Sequence, residues 1–179
     1  MSKITDLYTD KIVPNMVKRF GLSNKMEVSK PMKICVNSGI GDFRDNKEAV
    51  ESFVHDLSQL TGQKPYPRKA RLSISGFKIR KGDVVGYLTT LRGKRMWSFL
   101  DKLINAALPR VRDFRGLKRS AFDKDGNFSL GIQEHVIFPE VNPNTTKGIR
   151  NLQISIVFSS SNKEMNEAVL EELGMPLKK

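Results

Sequence analysis

Between residues 152 and 158, Leu152, Ile154, Ile156 and Phe158 alternate strictly with other residues. A repeat of two residues is that of a β-strand with one buried and one open face. A sheet made of such strands needs cover on one side only, which is the habit of antiparallel sheets; doubly wound parallel sheets bury both faces and alternate strand and helix regularly. The rest of the chain lacks that regular rhythm, so the expected class is α+β, with helices covering one face of a mainly antiparallel sheet.

Further strands are expected at Met32 to Val36, Lys64 to Arg71, Val84 to Leu91, Asn127 to Ile132 and Val136 to Phe138. Pro65 and Pro67 restrict the second of these to a sheet edge. Residues Ile4 to Phe20 carry apolar side chains near helical spacing, with Pro14 expected to split that helix in two. Asp45, with Glu48 three residues on, reads as a capping box, and Ala49, Val50, Phe53, Val54, Leu57 and Leu60 then make one apolar face that Gly62 ends. The strongest helix runs from Met96 to Ala107 and stops at Pro109; a last one spans Lys163 to Leu173, with Gly174 and Pro176 as its stop. At 179 residues, one domain is expected.

Charge decides what such a domain meets. From Lys64 to Arg119 there are 16 basic and three acidic residues, a net +13, whereas the remainder holds 15 basic and 16 acidic residues. A concentrated excess attracts a polyanion, and each phosphate it neutralises releases counterions. Nucleic acid is therefore the leading partner. A membrane surface would call for a helix with a basic face opposite a broad apolar one, but these cations fall in loops and strands, notably Arg68-Lys69-Ala70-Arg71, Lys78-Ile79-Arg80-Lys81 and Arg92-Gly93-Lys94-Arg95. Of the aromatics interleaved with them, Tyr66, Phe77 and Phe114 suit either stacking on bases or the interior, and Trp97 reads as core.

Chemistry finds little footing. No apolar run approaches the roughly 18 residues that cross a bilayer, and Met1 to Asp10 lacks the features of a targeting segment, so the chain is expected to act where it is made. Lone Cys35 cannot make an internal disulfide and reads as a small buried strand residue; with His55 and His135 it gives no zinc spacing. Gly39 and Gly41 suggest a dinucleotide turn, but Arg44 fills the third glycine position; they read as a tight strand-to-helix turn whose bare backbone lets RNA come close, beside Asn37. With no carboxylate pair, triad or ligand cluster, neither an enzyme, a metal, a cofactor nor a small-molecule substrate is expected.

Several motifs occur in a telling order: Gly62-Gln63-Lys64-Pro65, Ser73-Ile74-Ser75-Gly76-Phe77-Lys78-Ile79-Arg80-Lys81-Gly82, Thr90-Leu91-Arg92-Gly93, Leu108-Pro109-Arg110-Val111-Arg112-Asp113-Phe114-Arg115-Gly116-Leu117, Gly126 to Ile132, and Leu173-Gly174-Met175-Pro176. Together they resemble the ribosomal protein L five family, the large-subunit proteins that bind 5S rRNA, in its bacterial form. The resemblance implies a sheet of about five strands, to which residues 1–82 and 83–179 both contribute, and a place in the central protuberance of the large subunit. It also implies partners: 5S rRNA, large-subunit rRNA, the transfer RNA of the peptidyl site, and neighbouring ribosomal proteins including one of the small-subunit head.

By the same resemblance, 5S rRNA would be held by Asn37, Gly39, Gly41, Gln63, Lys64, Arg68, Thr90 and Arg92. A protruding basic loop with Ser73, Gly76, Phe77, Lys78, Arg80 and Lys81 would approach the transfer RNA, and Arg110, Arg112 and Arg115, with the loop 142–148, would form the intersubunit bridge. The family usually has a Thr where Arg68 stands, a small apolar residue at Tyr66, and Asn-Met-Gly where this chain reads Asn37-Ser38-Gly39. Arg68 would substitute a charge-assisted phosphate contact for a hydroxyl bond and steepen the salt dependence of binding. A transient ribosome assembly factor that binds RNA is the rival expectation, and a nucleotide-dependent enzyme using the Gly39 to Gly41 turn is the second.

Overall fold

The computed structural model describes residues 3–178 apart from 144, 145 and 147, so the expected bridge loop 142–148 lies partly outside the described residues. Five strands, β1 (Pro31–Gly39), β2 (Tyr66–Lys69), β3 (Val84–Leu91), β4 (Phe128–Ile132) and β5 (Leu152–Phe158), pair antiparallel in the spatial order β2-β3-β1-β5-β4. Alternation sets the two faces. Ile34, Val36, Leu91, Phe128, Leu130, Ile132, Ile154 and Ile156 point into the core, while Asn37, Gly39, Tyr66, Arg68, Ser129, Gly131 and Gln153 are exposed. β2, with Pro67 inside it, is an edge strand as its prolines require.

The helices are α1 (Lys3–Leu7), α2 (Val13–Phe20), α3 (Lys47–Thr61), α4 (Gly93–Lys102) and α5 (Lys163–Glu172). The first helical run is in two pieces, as expected, with Pro14 in the first turn of α2; a π turn over Tyr8–Ile12 links α1 to α2, with the Val13 N–H reaching the Tyr8 carbonyl five residues back. Such a widened turn keeps the chain helical around a residue that has no N–H to give. The cap of α3 is Asn46, one residue later than expected, whose side chain accepts the Ala49 N–H at 3.1 Å. Gly62 closes that helix in the left-handed conformation at φ 65°.

Residues 136–138 are not a strand. β4 pairs directly with β5, and the connection between them bends over the helices through a 3-10 turn at His135–Ile137, after which Phe138 stacks on Phe99 of α4 with ring centroids 5.7 Å apart. No helix of the described residues is long and apolar enough to cross a membrane.

That connection is held by a buried histidine. His135 is fully buried; its Nδ1 accepts the Arg150 N–H at 3.1 Å, so its proton sits on Nε2, 3.4 Å from Asp56 Oδ2 of α3. Thr146 Oγ1 donates to the same carboxylate oxygen at 3.0 Å. Burial lowers the His135 pKa below its usual 6.5, with the Asp56 hydrogen bond opposing the shift in part. The unfolded chain then binds a proton near pH 6.5 that the folded one refuses, so stability is complete above that pH and falls as the pH drops below it. The slope for one proton is at most about 1.4 kcal/mol per pH unit. Urea midpoints measured from pH 7.5 down to 5.5 should fall in the wild type and stay nearly flat in His135→Asn; a flat wild-type profile would contradict the assignment.

Candidate nucleic-acid interface

The open face of the sheet presents side chains in rows fixed by strand register. One row runs Tyr66, Leu88, Asn37, Gln153 and Gly131; the next holds Thr90, Cys35, Ser155 and Ser129; on the other side stand Arg68, Gly86 and Gly39. Asn37, Thr90, Gly39 and Arg68, four of the residues expected to touch 5S rRNA, thus share one surface. Ser129 and Ser155 hydroxyls meet at 3.0 Å, and Cys35 Sγ lies 3.9 Å from Thr90 Oγ1. Cys35 is half-buried on this open face and not in the core, because it alternates with Ile34 and Val36.

Two shallow grooves follow the rows and share Asn37, Ser38, Gly39 and Gln153. The first, about 680 Å³, adds Tyr66, Arg68, Lys69 and Arg71, and no acidic residue lines it. Arg68 has its guanidinium 5.8 Å from the centre of the Tyr66 ring, which steadies an otherwise flexible side chain. The second groove, about 530 Å³, runs along β4 and β5 and is lined by Ser129, Gln133, Asn151 and Gln153 with no charge at all. Cations beside uncharged amides and hydroxyls form the combination that grips phosphates while reading riboses and base edges.

The strand-to-helix turn expected at Gly39 and Gly41 lies where β1 ends at Gly39, but neither glycine has a positive φ. Ser38 faces inward, and its hydroxyl donates to the Asn151 carbonyl at 2.6 Å, tying the end of β1 to the start of β5. Gly41 opens a 3-10 turn, Gly41–Phe43. Gln63 and Lys64 line a separate groove beside α3 with Glu51 and His55, and Gln63 Oε1 accepts from Arg95 Nη1 at 3.5 Å. Arg92, two residues after Thr90, stands exposed at the start of α4, the helix to which Gln63 is tied through Arg95.

Residues 70–83 are an internally hydrogen-bonded excursion of the β2 to β3 connection. The Ala70 N–H donates to the Asp83 carbonyl at 2.8 Å, Ile74 and Ile79 exchange backbone bonds, and Lys81 N–H reaches Ser73 Oγ at 2.9 Å. Ser73, Gly76, Phe77, Lys78, Arg80 and Lys81 lie on this excursion, with Phe77 exposed by 73%. Phe114 and Trp97 are half-buried against the core, the latter with its ring 5.3 Å from Tyr8. Arg110, Arg112 and Arg115 stand exposed beside a smaller groove of about 300 Å³ lined by Val111, Phe114 and Leu117. Among the described residues no three His, Cys, Asp or Glu side chains gather as a metal site needs.

Sequence reasoning missed Gly86, Gln153, Ser129 and Ser155, which the register brings onto the same face. The signal for Gly86 was a glycine inside a strand of β-branched residues, which often marks a close backbone approach.

Comparison with known proteins gives a consistent answer. The family model described as ribosomal protein L5 matches residues 24–80, and the model for the C-terminus of the same ribosomal family matches residues 84–177. The large ribosomal subunit protein uL5 of Rippkaea orientalis is 47% identical over 176 residues, 98% of this chain and 98% of its own length. The protein of the same name from Thermoanaerobacter sp. is 45% identical over 179 residues and covers both chains fully. That of Rubrobacter xylanophilus is 45% identical over 178 residues, 99% of each.

Proposed function

The chain belongs to the ribosomal protein L5 family, and from that premise we propose that it anchors 5S rRNA in the central protuberance of the large subunit through the open face of its sheet. It is a structural constituent of the large ribosomal subunit, in the cytoplasm, and not an enzyme. The observation that carries the RNA contact is the register that puts Asn37, Gly39, Thr90 and Arg68 on one face beside a cationic groove free of carboxylates. Arg68, Lys69 and Arg71 bind phosphate; Asn37 and Thr90 bond ribose hydroxyls and base edges, which favours RNA over DNA. Gln63, Lys64 and Arg92 extend the footprint past the end of β3, and Gly41 borders its other end.

The cations of the excursion, Lys78, Arg80 and Lys81, with Ser73, Gly76 and Phe77 around them, suit the backbone of the peptidyl-site transfer RNA, held without sequence preference as a ribosome requires. Arg110, Arg112 and Arg115 would face a protein of the small-subunit head, and large-subunit rRNA adjoins the remaining basic surface. The test is a gel shift of 5S rRNA against an unrelated structured RNA at two salt concentrations, with stoichiometric retention in salt-washed large subunits separating a resident protein from an assembly factor. Asn37→Ala, with folding intact, should weaken 5S rRNA binding by about 1 to 3 kcal/mol, because it leaves polar groups unpaired at the contact; wild-type affinity in this variant would remove Asn37 from the footprint.

A further inference from the structure

A strand-interior glycine, Gly86, has a role that RNA binding in general does not explain. A Cβ built on it would stand 2.7 Å from the Ser38 carbonyl oxygen and 3.5 Å from Gly39 Cα. The obstacle is backbone, which cannot swing aside, so any side chain at position 86 would push β1 away from β3. Gly86 pairs with Gly39 on one side and with Arg68 on the other. A Cβ on Gly39, by contrast, would meet only the Val85 carbonyl at 3.9 Å, so its missing side chain leaves open space.

The outcome is a seam of bare peptide between the Asn37 side chain and Arg68, at the floor of the groove of about 680 Å³. Arg68, Lys69 and Arg71 stand over it, none ion-paired to a carboxylate among the described residues. Unpaired cations over a floor without side chains or acids suit a compact anion brought close to the main chain. The groove is open along the sheet and flanked by Asn37 and Gln153, so that anion belongs to a polymer whose sugars extend past it.

We propose that the Gly39 and Gly86 seam seats one phosphodiester of the bound RNA, clamped by Arg68 and Arg71, with Gly86 as the positioning residue that holds β1 close to β3. This rests on the reading that 5S rRNA occupies the sheet face. The seat explains why Gly39, where the fold has room for a side chain, is bare: a methyl or isopropyl group there would occupy the phosphate's place.

The experiment compares full-length wild type, Gly39→Ala, Gly39→Val, Arg68→Gln and the Gly39→Val with Arg68→Gln double variant, by thermal melting and by 5S rRNA affinity. Melting temperatures should stay near wild type, since a Cβ on Gly39 comes no nearer than 3.9 Å to the Val85 carbonyl. Affinity should fall about tenfold in Gly39→Ala and further in Gly39→Val, and Arg68→Gln should flatten the dependence of log affinity on log salt by about one unit. The double variant should bind scarcely worse than Gly39→Val, because both changes act on one phosphate. Ethylation interference should expose a phosphate whose modification blocks the wild type and costs Arg68→Gln less. Gly39→Val binding within twofold of wild type, or losses that simply multiply in the double variant, would overturn the seat. If wild type itself shows no preference for 5S rRNA over an unrelated structured RNA, the reading beneath it fails instead.

Discussion

Converting Arg68, Lys69 and Arg71 together to glutamine is expected to weaken 5S rRNA binding by about a thousandfold at low salt, close to 4 kcal/mol. These cations line a groove without a carboxylate, so nothing in the groove offsets their field, and each charge-assisted bond to phosphate is worth about 1.5 to 3 kcal/mol. Glutamine keeps much of the aliphatic stems, so packing is largely spared. The salt slope should flatten along with the affinity. The same change at Lys78, Arg80 and Lys81 should leave 5S rRNA binding within about twofold while loosening transfer RNA on assembled ribosomes, because position and not net charge decides a contact. Equal losses from the two triple variants would mean that the +13 of the middle third acts as a diffuse field, and the division of labour would be wrong.

The largest effect on stability is expected from Asn166→Ala. Asn166 in α5 is fully buried, and its Nδ2 donates to the Gly126 carbonyl and to the Ser160 carbonyl, each at 2.8 Å. One amide therefore fastens the turn that enters β4 to the segment that leaves β5. Gly126 sits at φ 73°, and its Cα faces the Asn166 amide and the Ser161 carbonyl so closely that a Cβ would not fit. Truncation leaves two carbonyls without this partner and opens a small cavity, for a loss of about 3 kcal/mol or more. Urea unfolding measures it, and a loss below about 1 kcal/mol would show that other donors reach these carbonyls.

How much of this was legible depended on whether the signal was local. β3 was expected at the observed limits and β5 likewise, because alternation over seven or eight residues is a property of the strand itself. The edge position of β2 followed from its prolines, and the end of α3 from Gly62. Residues 136–138 misled because a three-residue apolar run has no measurable period, and its burial comes from contact with α4. Asp45 and Asn46 are both good caps, and only the backbone shows which one is used.

For the candidate interface, the residue types could be read from the sequence but their arrangement could not. Charge density singled out the middle third, yet whether Arg68 and Lys78 share a surface depends on how the β2 to β3 connection folds back on itself through the Ala70 to Asp83 bond. Asn37 could be picked out by type and by resemblance, whereas Gln153, more than a hundred residues further on, joins it only through the pairing of β1 with β5. Gly86 carried a local hint, but the Ser38 carbonyl that gives it meaning belongs to another strand.

The central position of β1 imposes an order on biogenesis. Its two neighbours, β3 and β5, come later in the chain, the second ending at Phe158. During translation the strand bearing Asn37 therefore waits with an open edge until more than four-fifths of the 179 residues have been joined, a non-local closure of the kind that folds slowly and invites aggregation. A nascent chain exposes its cations long before it owns a complete platform.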